Sequence, residues 1–393
     1  MLLLLSLEDG LVLAWRRLGV FALDPSFADM RSITSAWECT RAGVDVLPIN
    51  PCDPWKRPAN YPSVWTAPAV TGLGQESTAY FGIATGIVFF ASVLLLIGRV
   101  SGRAVLLYLL VLCSPAIMLG VERGNADLLL FAIVVLAVFL LARARALAHG
   151  LLLLAAILKL FPLFAWGLLL RQPRRWVLAG GGGLLLAFTA YALVILDQIR
   201  AIRAAVPQEV QSSYGAAVGV EAFQQFVSQH GVTPLYPLTH PAAETAGQVG
   251  VVAAGLLVGL WLARRWNSRD GAVSERDLAA FWAGAGIFCG TFALFQNYDY
   301  RLAFLLLCLP QLLRWSHERR PQVPRSGWAL AAIVASVWLV ARAPIFPLGL
   351  GDLWVEVTNW FPFEELVNWL VFAYLAAALI VTRPRRSRPT ATQ

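Results

Sequence analysis

The chain has 393 residues, of which 58% are hydrophobic and 14% are charged, and its net charge is +8. A soluble domain carries about 25% charged residues, so this composition excludes a soluble globular protein and a disordered chain. Apolar blocks of 12 to 21 residues with charges only between them match helices that cross a bilayer core of about 30 Å. We therefore predict an all-α, polytopic helical membrane protein that forms a single integral membrane domain over residues 1–393.

Residues 1–20 are predicted to form a weak first span. Residues 2–7 are too short to cross the bilayer, and two acidic and two basic residues interrupt the remainder of the segment. The segment lacks the basic start and the small-residue cleavage site of a signal peptide. An interfacial helix and the remnant of a longer span are the alternatives, and we favour a first span.

Nine clear spans come after the first external loop, which covers residues 21–79. The nine apolar blocks are 80–97, 104–120, 127–142, 176–195, 247–263, 278–296, 302–313, 327–342 and 366–382. A further apolar block, 150–170, has basic residues near both ends, so both ends are expected on the same side of the membrane. We predict a helical hairpin that breaks before Pro162, because proline cannot donate a backbone hydrogen bond, and its tip carries Lys159 at membrane depth.

Arginine marks one side of the membrane. The loops on that side hold 19 Arg and four acidic residues, whereas the opposite loops hold nine Lys or Arg and 17 acidic residues. By the positive-inside rule, the Arg-rich loops and the C-terminus are predicted to be cytoplasmic, in a multi-pass protein of the cell membrane. The charge therefore reports topology, and no nucleic acid is expected as a partner.

The external loops predict where chemistry can take place. Residues 196–246 form a second large external loop, in which 216–230 have helical apolar spacing. The first external loop combines Asp24, Asp29, Arg31, Glu38, Asp45 and Asp53 with a Pro-rich stretch, 48–65, that carries Trp55, Tyr61 and Trp65. Aromatic side chains on such a stiff path can stack on a sugar or lie at the lipid headgroups. Cys39 and Cys52 share this loop, and the sequence leaves open whether they form a disulfide.

Two short external connections, 122–127 (ERGNAD) and 297–301 (NYDYR), concentrate ionisable groups at the membrane. An ionisable group at mid-bilayer costs roughly 2.5–3.5 kcal/mol, so such groups usually have a function. The two connections coincide with Lys159, one of two lysines in the chain. The structural alternative for the two connections is that their charged groups only form salt bridges and helix caps. The structural alternative for Lys159 is that its side chain reaches out to the lipid headgroups. The scattered histidines predict no metal site, and no cofactor is expected.

Three motifs together resemble a known family. Ser26-Phe27-Ala28-Asp29-Met30-Arg31 lies in the first external loop, 122–127 opens a span, and Lys159-Leu160-Phe161-Pro162 precedes the basic segment 171–175. In this arrangement the chain resembles the GT-C-type membrane glycosyltransferases of family 87, which use polyprenol-phosphate mannose. The resemblance implies a GT-C-like fold. It also implies transfer of a sugar, mannose or another hexose, from a polyprenyl-phosphate donor to a lipid or glycan acceptor at the extracytoplasmic face.

The resemblance implies that Asp29 is the catalytic base of an inverting transfer, which takes the proton of the acceptor hydroxyl as it attacks the anomeric carbon. Cationic side chains must meet the charge that develops on the leaving phosphate, and Arg123, Lys159 and Arg301 are the candidates. The whole expected substrate-binding set is Arg31, Glu122, Arg123, Asn125, Asp127, Lys159, Asn297, Asp299, Tyr300 and Arg301.

Alternatives remain at this level. Asp45 and Asp53 are rival bases, and a helix cap is the structural alternative for Asp29. A transporter or flippase for an anionic lipid or solute is the second functional hypothesis, because broken helices and intramembrane charges also mark transporters. A non-catalytic scaffold is the third, but it leaves unexplained why three charged clusters lie at one depth.

Overall fold

The structure is a computed structural model that describes residues 8–98, 102–206, 213–229, 241–266, 274–294, 296–318, 321–340 and 363–383. The α-helices are α1 Glu8–Arg17, α2 Ala28–Arg41, α3 Thr78–Ile97, α4 Gly102–Leu112, α5 Pro115–Arg123, α6 Ala126–Leu140, α7 Arg145–Leu158, α8 Gly182–Val194, α9 Leu196–Ala205, α10 Ala216–Gln229, α11 Pro241–Arg265, α12 Glu275–Leu294, α13 Leu309–His317, α14 Ser326–Leu339 and α15 Phe363–Val381. The described residues also form four 3-10 segments, Ser63–Thr71, Gln75–Ser77, Phe161–Arg171 and Asp299–Cys308, and one π-helical segment, Trp176–Gly181. Within the described ranges the only sheet pairs β1 Ser213–Tyr214 antiparallel to β2 Asn297–Tyr298.

The protein is an all-α membrane protein, but the expected count of nine spans is not confirmed. Among the described residues, five helical stretches are long and apolar enough to cross a membrane, namely Gln75–Ile97, Trp176–Val194, Glu244–Arg265, Glu275–Leu294 and Phe363–Val381. The pair α4 and α5 makes a sixth if it counts as one span bent by 51°. Pro115 opens α5, and a proline interrupts the helical hydrogen bonds at such a break.

Two of the expected spans, and the first helix of the block 150–170, are apolar helices that are shorter than a full crossing. α6, α7 and α14 have 15, 14 and 14 residues, which rise only about 20 Å. The expected span 302–313 is divided between the 3-10 segment Asp299–Cys308 and α13. Hydropathy counts apolar residues and does not detect where a helix ends or changes direction. The observed helices therefore differ in length from the apolar blocks of the sequence.

The core forms around α12, because 72% of the residues in its apolar 18-residue stretch are buried. Phe288 and Phe292 stack with ring centroids 6.1 Å apart, and Phe292 stacks on Phe372 of α15 at 4.8 Å. A Cβ on Gly284 would approach the carbonyl oxygen of Phe304 to 2.8 Å. The missing side chain therefore lets the 3-10 segment Asp299–Cys308 pack directly on α12.

The block 150–170 contains two helical segments, α7 and Phe161–Arg171, and Lys159 between them has an extended backbone with φ −157° and ψ 134°. His149 packs on Trp176 with ring centroids 5.5 Å apart, and the hydroxyl of Tyr191 donates to the carbonyl of Ile157 at 3.0 Å. The chain from Trp176 into α8 therefore runs in the same direction as α7. The segment Phe161–Arg171 therefore runs back from the end of α7 to Trp176.

Charged groups collect at both ends of the helical bundle. Arg314 lies 2.7 Å from Asp277, and Arg171 lies 3.4 Å from Glu275. These contacts join the start of α12 to the end of α13 and to the end of the 3-10 segment Phe161–Arg171, at the end of the bundle that we call the Asp277 end. Asp127 and the groups around it occupy the opposite, Asp127 end. The arginine-rich loops predicted to be cytoplasmic include those that meet at the Asp277 end.

The two large loops and the first segment contain short elements. α1 has ten residues, and the part of the expected first span before residue 8 lies outside the described residues. The first external loop folds into α2 and two 3-10 segments and holds a disulfide between Cys39 and Cys52, whose Cα atoms are 5.8 Å apart. The loop 196–246 contains α9, β1 and α10, and its residues 207–212 and 230–240 lie outside the described ranges.

Candidate active site

Phe27 anchors the helix that carries Asp29. Its backbone is left-handed with φ 59°, it directly precedes α2, and its amide donates to the carbonyl oxygen of Glu122 at 3.2 Å. A Cβ on Gly82 would lie 2.6 Å from the Phe27 ring, and one on Gly124 would lie 3.1 Å from it. The two glycines therefore make the space that seats this ring, and the ring holds the first turn of α2 against α3 and α5.

Asn125 joins Asp29 to the start of α6. Its Oδ1 accepts from the amide of Asp127 at 2.7 Å, which makes Asn125 the side-chain cap of α6, and its Nδ2 donates to Oδ2 of Asp29 at 2.5 Å. Gly124 ends α5 with φ +57°, a conformation that glycine adopts without steric cost. This tight turn is what brings the asparagine to Asp29 across 96 residues of sequence.

Asp127 is the centre of a buried ionic cluster. Its side chain is 0% exposed, Oδ1 accepts from Nζ of Lys159 at 2.6 Å, and Oδ2 accepts from Nε of Arg301 at 3.0 Å. Arg301 also donates through Nη1 to Oδ1 of Asn297, and its guanidinium lies 4.2 Å from the ring centroid of Phe161. Buried charges are stable only when they are paired, and here two cations share one carboxylate.

The Pro-rich stretch of the first external loop covers Lys159. The ammonium lies 5.0 Å from the ring centroid of Tyr61, and Trp65 donates through Nε1 to the carbonyl of Leu158 at 2.8 Å. Trp37 of α2 in turn donates to the carbonyl of Trp65 at 2.6 Å. Burial raises the pKa of Tyr61 well above its usual value, so the phenol stays neutral. Sequence patterns singled out these aromatics but did not show that they lie over Lys159.

Asp53, one of the two rival bases, is committed to a structural role. It accepts from Nε and Nη2 of Arg57 at 3.0 and 2.8 Å and from the amide of Trp55 at 3.1 Å, and its side chain is 0% exposed. Arg57 also donates to the carbonyl of Ala28, the residue before Asp29, at 2.6 Å. Burial favours a lower pKa for Arg57, but the hydrogen bond and the charge of Asp53 outweigh it and raise the pKa.

Asp45, the other rival base, is exposed and accepts from the amide of Leu47 at 3.1 Å. This contact spans two residues and stabilises the local turn. Asp29 differs from Asp45 because it is half-buried. It differs from Asp53 because, within the described part of the chain, it forms no ion pair.

The structure places three of the expected substrate-binding residues beside the ionic cluster and not in it. Oε1 of Glu122 accepts from the amide of Leu23 at 3.0 Å, and Arg123 lies 3.4 Å from Glu122 and donates to the carbonyl of Phe21 at 3.0 Å. Arg31 donates to the carbonyl of Ser26 at 3.4 Å. These contacts hold the chain that leads into α2.

Asp299 and Tyr300 are buried at the start of the 3-10 segment that supplies Arg301. The ring of Tyr300 stacks on Tyr298 with centroids 5.5 Å apart, and a Cβ on Gly120 would lie 3.3 Å from Cβ of Tyr300. Asn297 belongs to the β2 strand, which pairs with β1 from the second large external loop. The sequence did not indicate this pairing, which brings the second external loop to the cluster.

The geometry combines two chemical capabilities. Asp29 offers a half-buried carboxylate that is oriented by an amide and is able to accept a proton. Lys159 and Arg301, with side chains that are 18% and 11% exposed, offer positive charge in a largely buried setting, where attraction to an anion is stronger than in water. Asn125 and Asp127, two residues apart, connect the two.

The model of glycosyltransferase family 87 matches residues 75–283, which is more than half of the chain. The matched region includes Asn125, Asp127 and Lys159, while Asp29 and Arg301 lie outside it and reach the cluster through their hydrogen bonds to Asn125 and Asp127. No curated protein matches the chain, and no solved structure matches it. The family match favours the transferase hypothesis over the transporter and scaffold hypotheses. With its all-α membrane fold, the protein belongs to glycosyltransferase family 87 and is a membrane glycosyltransferase.

Proposed function

We propose that the protein transfers mannose or another hexose from a polyprenyl-phosphate donor to a lipid or glycan acceptor at the extracytoplasmic face, with inversion at the anomeric carbon. The observation that carries the proposal is the hydrogen bond from Asn125 to Asp29. This bond holds a carboxylate, which forms no ion pair with any described residue, beside the cluster of Asp127, Lys159 and Arg301.

Asp29 is the general base in this proposal. It removes the proton of the acceptor hydroxyl while the acceptor oxygen forms its bond to the anomeric carbon. An inverting transfer needs one such carboxylate, and an incoming acceptor has to reach it, which its partial exposure allows. The two rival carboxylates are less suitable as the base, since Asp53 forms an ion pair with Arg57 and Asp45 lies in an exposed turn.

Lys159 and Arg301 are proposed to bind the donor phosphate. As the bond between the anomeric carbon and the phosphate oxygen breaks, the electron pair stays with that oxygen and the leaving polyprenyl phosphate gains one negative charge. Two cations that share a single carboxylate, Asp127, still attract this charge. Asn297 and Asn125 orient these groups, since Asn297 accepts from Arg301 and Asn125 donates to Asp29.

The extracytoplasmic placement is supported by two observations. Arginine-rich loops meet at the Asp277 end, on the opposite side of the bundle from Asp29. The first external loop holds the disulfide between Cys39 and Cys52, which forms readily only in an oxidising compartment. Nucleotide sugars are made in the cytoplasm and are too charged to cross a bilayer, so a site on this side calls for a lipid-carried sugar.

The test uses membranes that contain the protein, together with radiolabelled polyprenyl-phosphate mannose. We expect label to move from the donor into a new glycolipid or glycan, and Asp29→Asn to lower the rate by about 10²–10⁴-fold. Asp45→Asn is the matched control and should transfer at the normal rate. Full activity of Asp29→Asn would remove the proposed base, and lipid movement between leaflets without any transfer would favour a flippase.

A further inference from the structure

A shallow surface cavity of about 550 Å³, wide open to its surroundings, lies at the opposite end of the bundle from the ionic cluster, and residues 142–147 and Trp176 line it. Residues 142–147 include the turn between α6 and α7. The ends of these helices away from the turn meet at the ion pair of Asp127 and Lys159, and α6 has 15 residues. The cavity is therefore about 20 Å from the cluster, and neither the family nor the proposed transfer assigns it a role.

Two arginines in the cavity wall lack the partners that neighbouring arginines have. At this end of the bundle Arg171 pairs with Glu275, while Arg276 and Arg314 both pair with Asp277. By contrast, no ion pair among the described residues includes Arg143 or Arg145. The Nε of Arg145 is buried, and no acceptor for it exists in the described ranges. A buried guanidinium nitrogen without an acceptor is costly unless an external group supplies one.

The local backbone adds further donors. α7 begins at Arg145 without a side-chain cap, so the amides of its first turn have no intrahelical acceptor and point toward the space before the helix. His149 comes one turn later, packed edge-on against Trp176 and only 4% exposed. Its Nε2 has no hydrogen-bond partner among the residues that the structure describes. The backbone amides of the first turn and the two guanidinium groups together suit an anion, and His149 lies behind Trp176 in the wall.

We propose that this cavity binds one phosphate group, and that the phosphate belongs to the headgroup of an anionic phospholipid. Arginine clamps a phosphate through two parallel hydrogen bonds, which a lysine cannot reproduce. The surroundings suit a lipid, because the alanines in the wall and the 55% exposed Leu147 offer an apolar path for acyl chains beside the basic rim. Basic sites between membrane helices commonly hold such headgroups.

The probe is phosphatidylglycerol, with phosphatidylcholine for comparison, added to the detergent-purified protein and counted by native mass spectrometry. We expect one retained phosphatidylglycerol at concentrations at which phosphatidylcholine is lost. The double variant Arg143→Gln/Arg145→Gln should weaken this binding by at least about tenfold. Arg174→Gln/Arg175→Gln is the matched control, since it removes the same charge from exposed residues next to Trp176 that do not line the cavity.

A second pair of measurements separates binding from folding and the lipid from free phosphate. Arg143→Lys/Arg145→Lys keeps the charge and should restore part of the binding, and both double variants should unfold at the temperature of the unmodified protein. Inorganic phosphate, compared with chloride at equal ionic strength, displaces the lipid if the phosphate group alone is recognised and leaves it bound if the acyl chains also contribute. Equal losses in the site and control variants, or equal retention of the two lipids, would overturn the proposal.

Discussion

The carboxylate of Asp127 accepts a hydrogen bond of 2.6 Å from the ammonium of Lys159, and 32 residues separate the two in sequence. The contact ties the first turn of α6 to the break at the end of α7, and Arg301 completes it from a third element. The ionic cluster therefore depends on three segments, and the loss of one charge affects all of them.

Asp127→Asn is expected to destabilise the protein by about 3–5 kcal/mol, because it leaves two buried cations without their shared counter-charge. The measurement is thermal or denaturant unfolding in detergent. The control is the double variant Asp127→Asn/Lys159→Gln, which removes one charge of each sign and should be more stable than the single variant. If the single variant is as stable as the unmodified protein, the cluster contributes nothing to stability.

Replacing Asn125 separates its two contacts. Asn125→Ala should lose the cap of α6, which costs about 1 kcal/mol, and should also lose the hydrogen bond to Asp29. Asn125→Ser keeps an oxygen for the cap, but its side chain is too short to reach the aspartate. We expect both variants to transfer sugar more slowly and only the alanine variant to unfold more easily, in paired activity and unfolding assays. A fully active Asn125→Ser would show that Asp29 needs no orientation.

Gly82→Ala tests the anchor at Phe27. The new methyl group would lie 2.6 Å from the aromatic ring, so the ring and the start of α2 must shift, at a cost of about 1–3 kcal/mol. Gly86→Ala, one turn along the same helix, meets nothing within 4 Å and should stabilise the helix by about 0.5–1 kcal/mol. Transfer activity should fall in the first variant alone, and equal activity in both would contradict the anchoring role.

Removal of the disulfide should weaken the first external loop. Cys39 and Cys52 are 13 residues apart, and a crosslink that closes a loop of this size contributes about 3 kcal/mol. The bond joins α2, which carries Asp29, to the Pro-rich stretch 48–65. Cys39→Ser/Cys52→Ser should therefore lower both the unfolding temperature and the transfer rate. Cys113→Ser, at an exposed free cysteine, is the control. A reductant should have the same effect as the double variant on the unmodified protein and no effect on the variant.

Local sequence patterns were sufficient to predict the membrane class and the positions of the polar motifs. The apolar blocks predicted helices because burial in lipid requires each segment to satisfy its own backbone hydrogen bonds. The motifs 122–127 and 297–301 and Lys159 stood out since charge is costly at that depth. The same patterns do not register the break before Pro115 or the 3-10 geometry of Asp299–Cys308, and the count of nine spans is not confirmed.

Tertiary contacts decided which polar residues act together. Asp29, Asp45 and Asp53 are all carboxylates of one loop, and only their partners distinguish them: Asn125 for the first, a turn amide for the second and Arg57 for the third. Arg123 and Arg301 have the same charge, yet only Arg301 reaches Asp127, across 174 residues. Such pairings depend on how distant helices pack in three dimensions, and the periodicity of one helix shows which face is buried but not which element covers it.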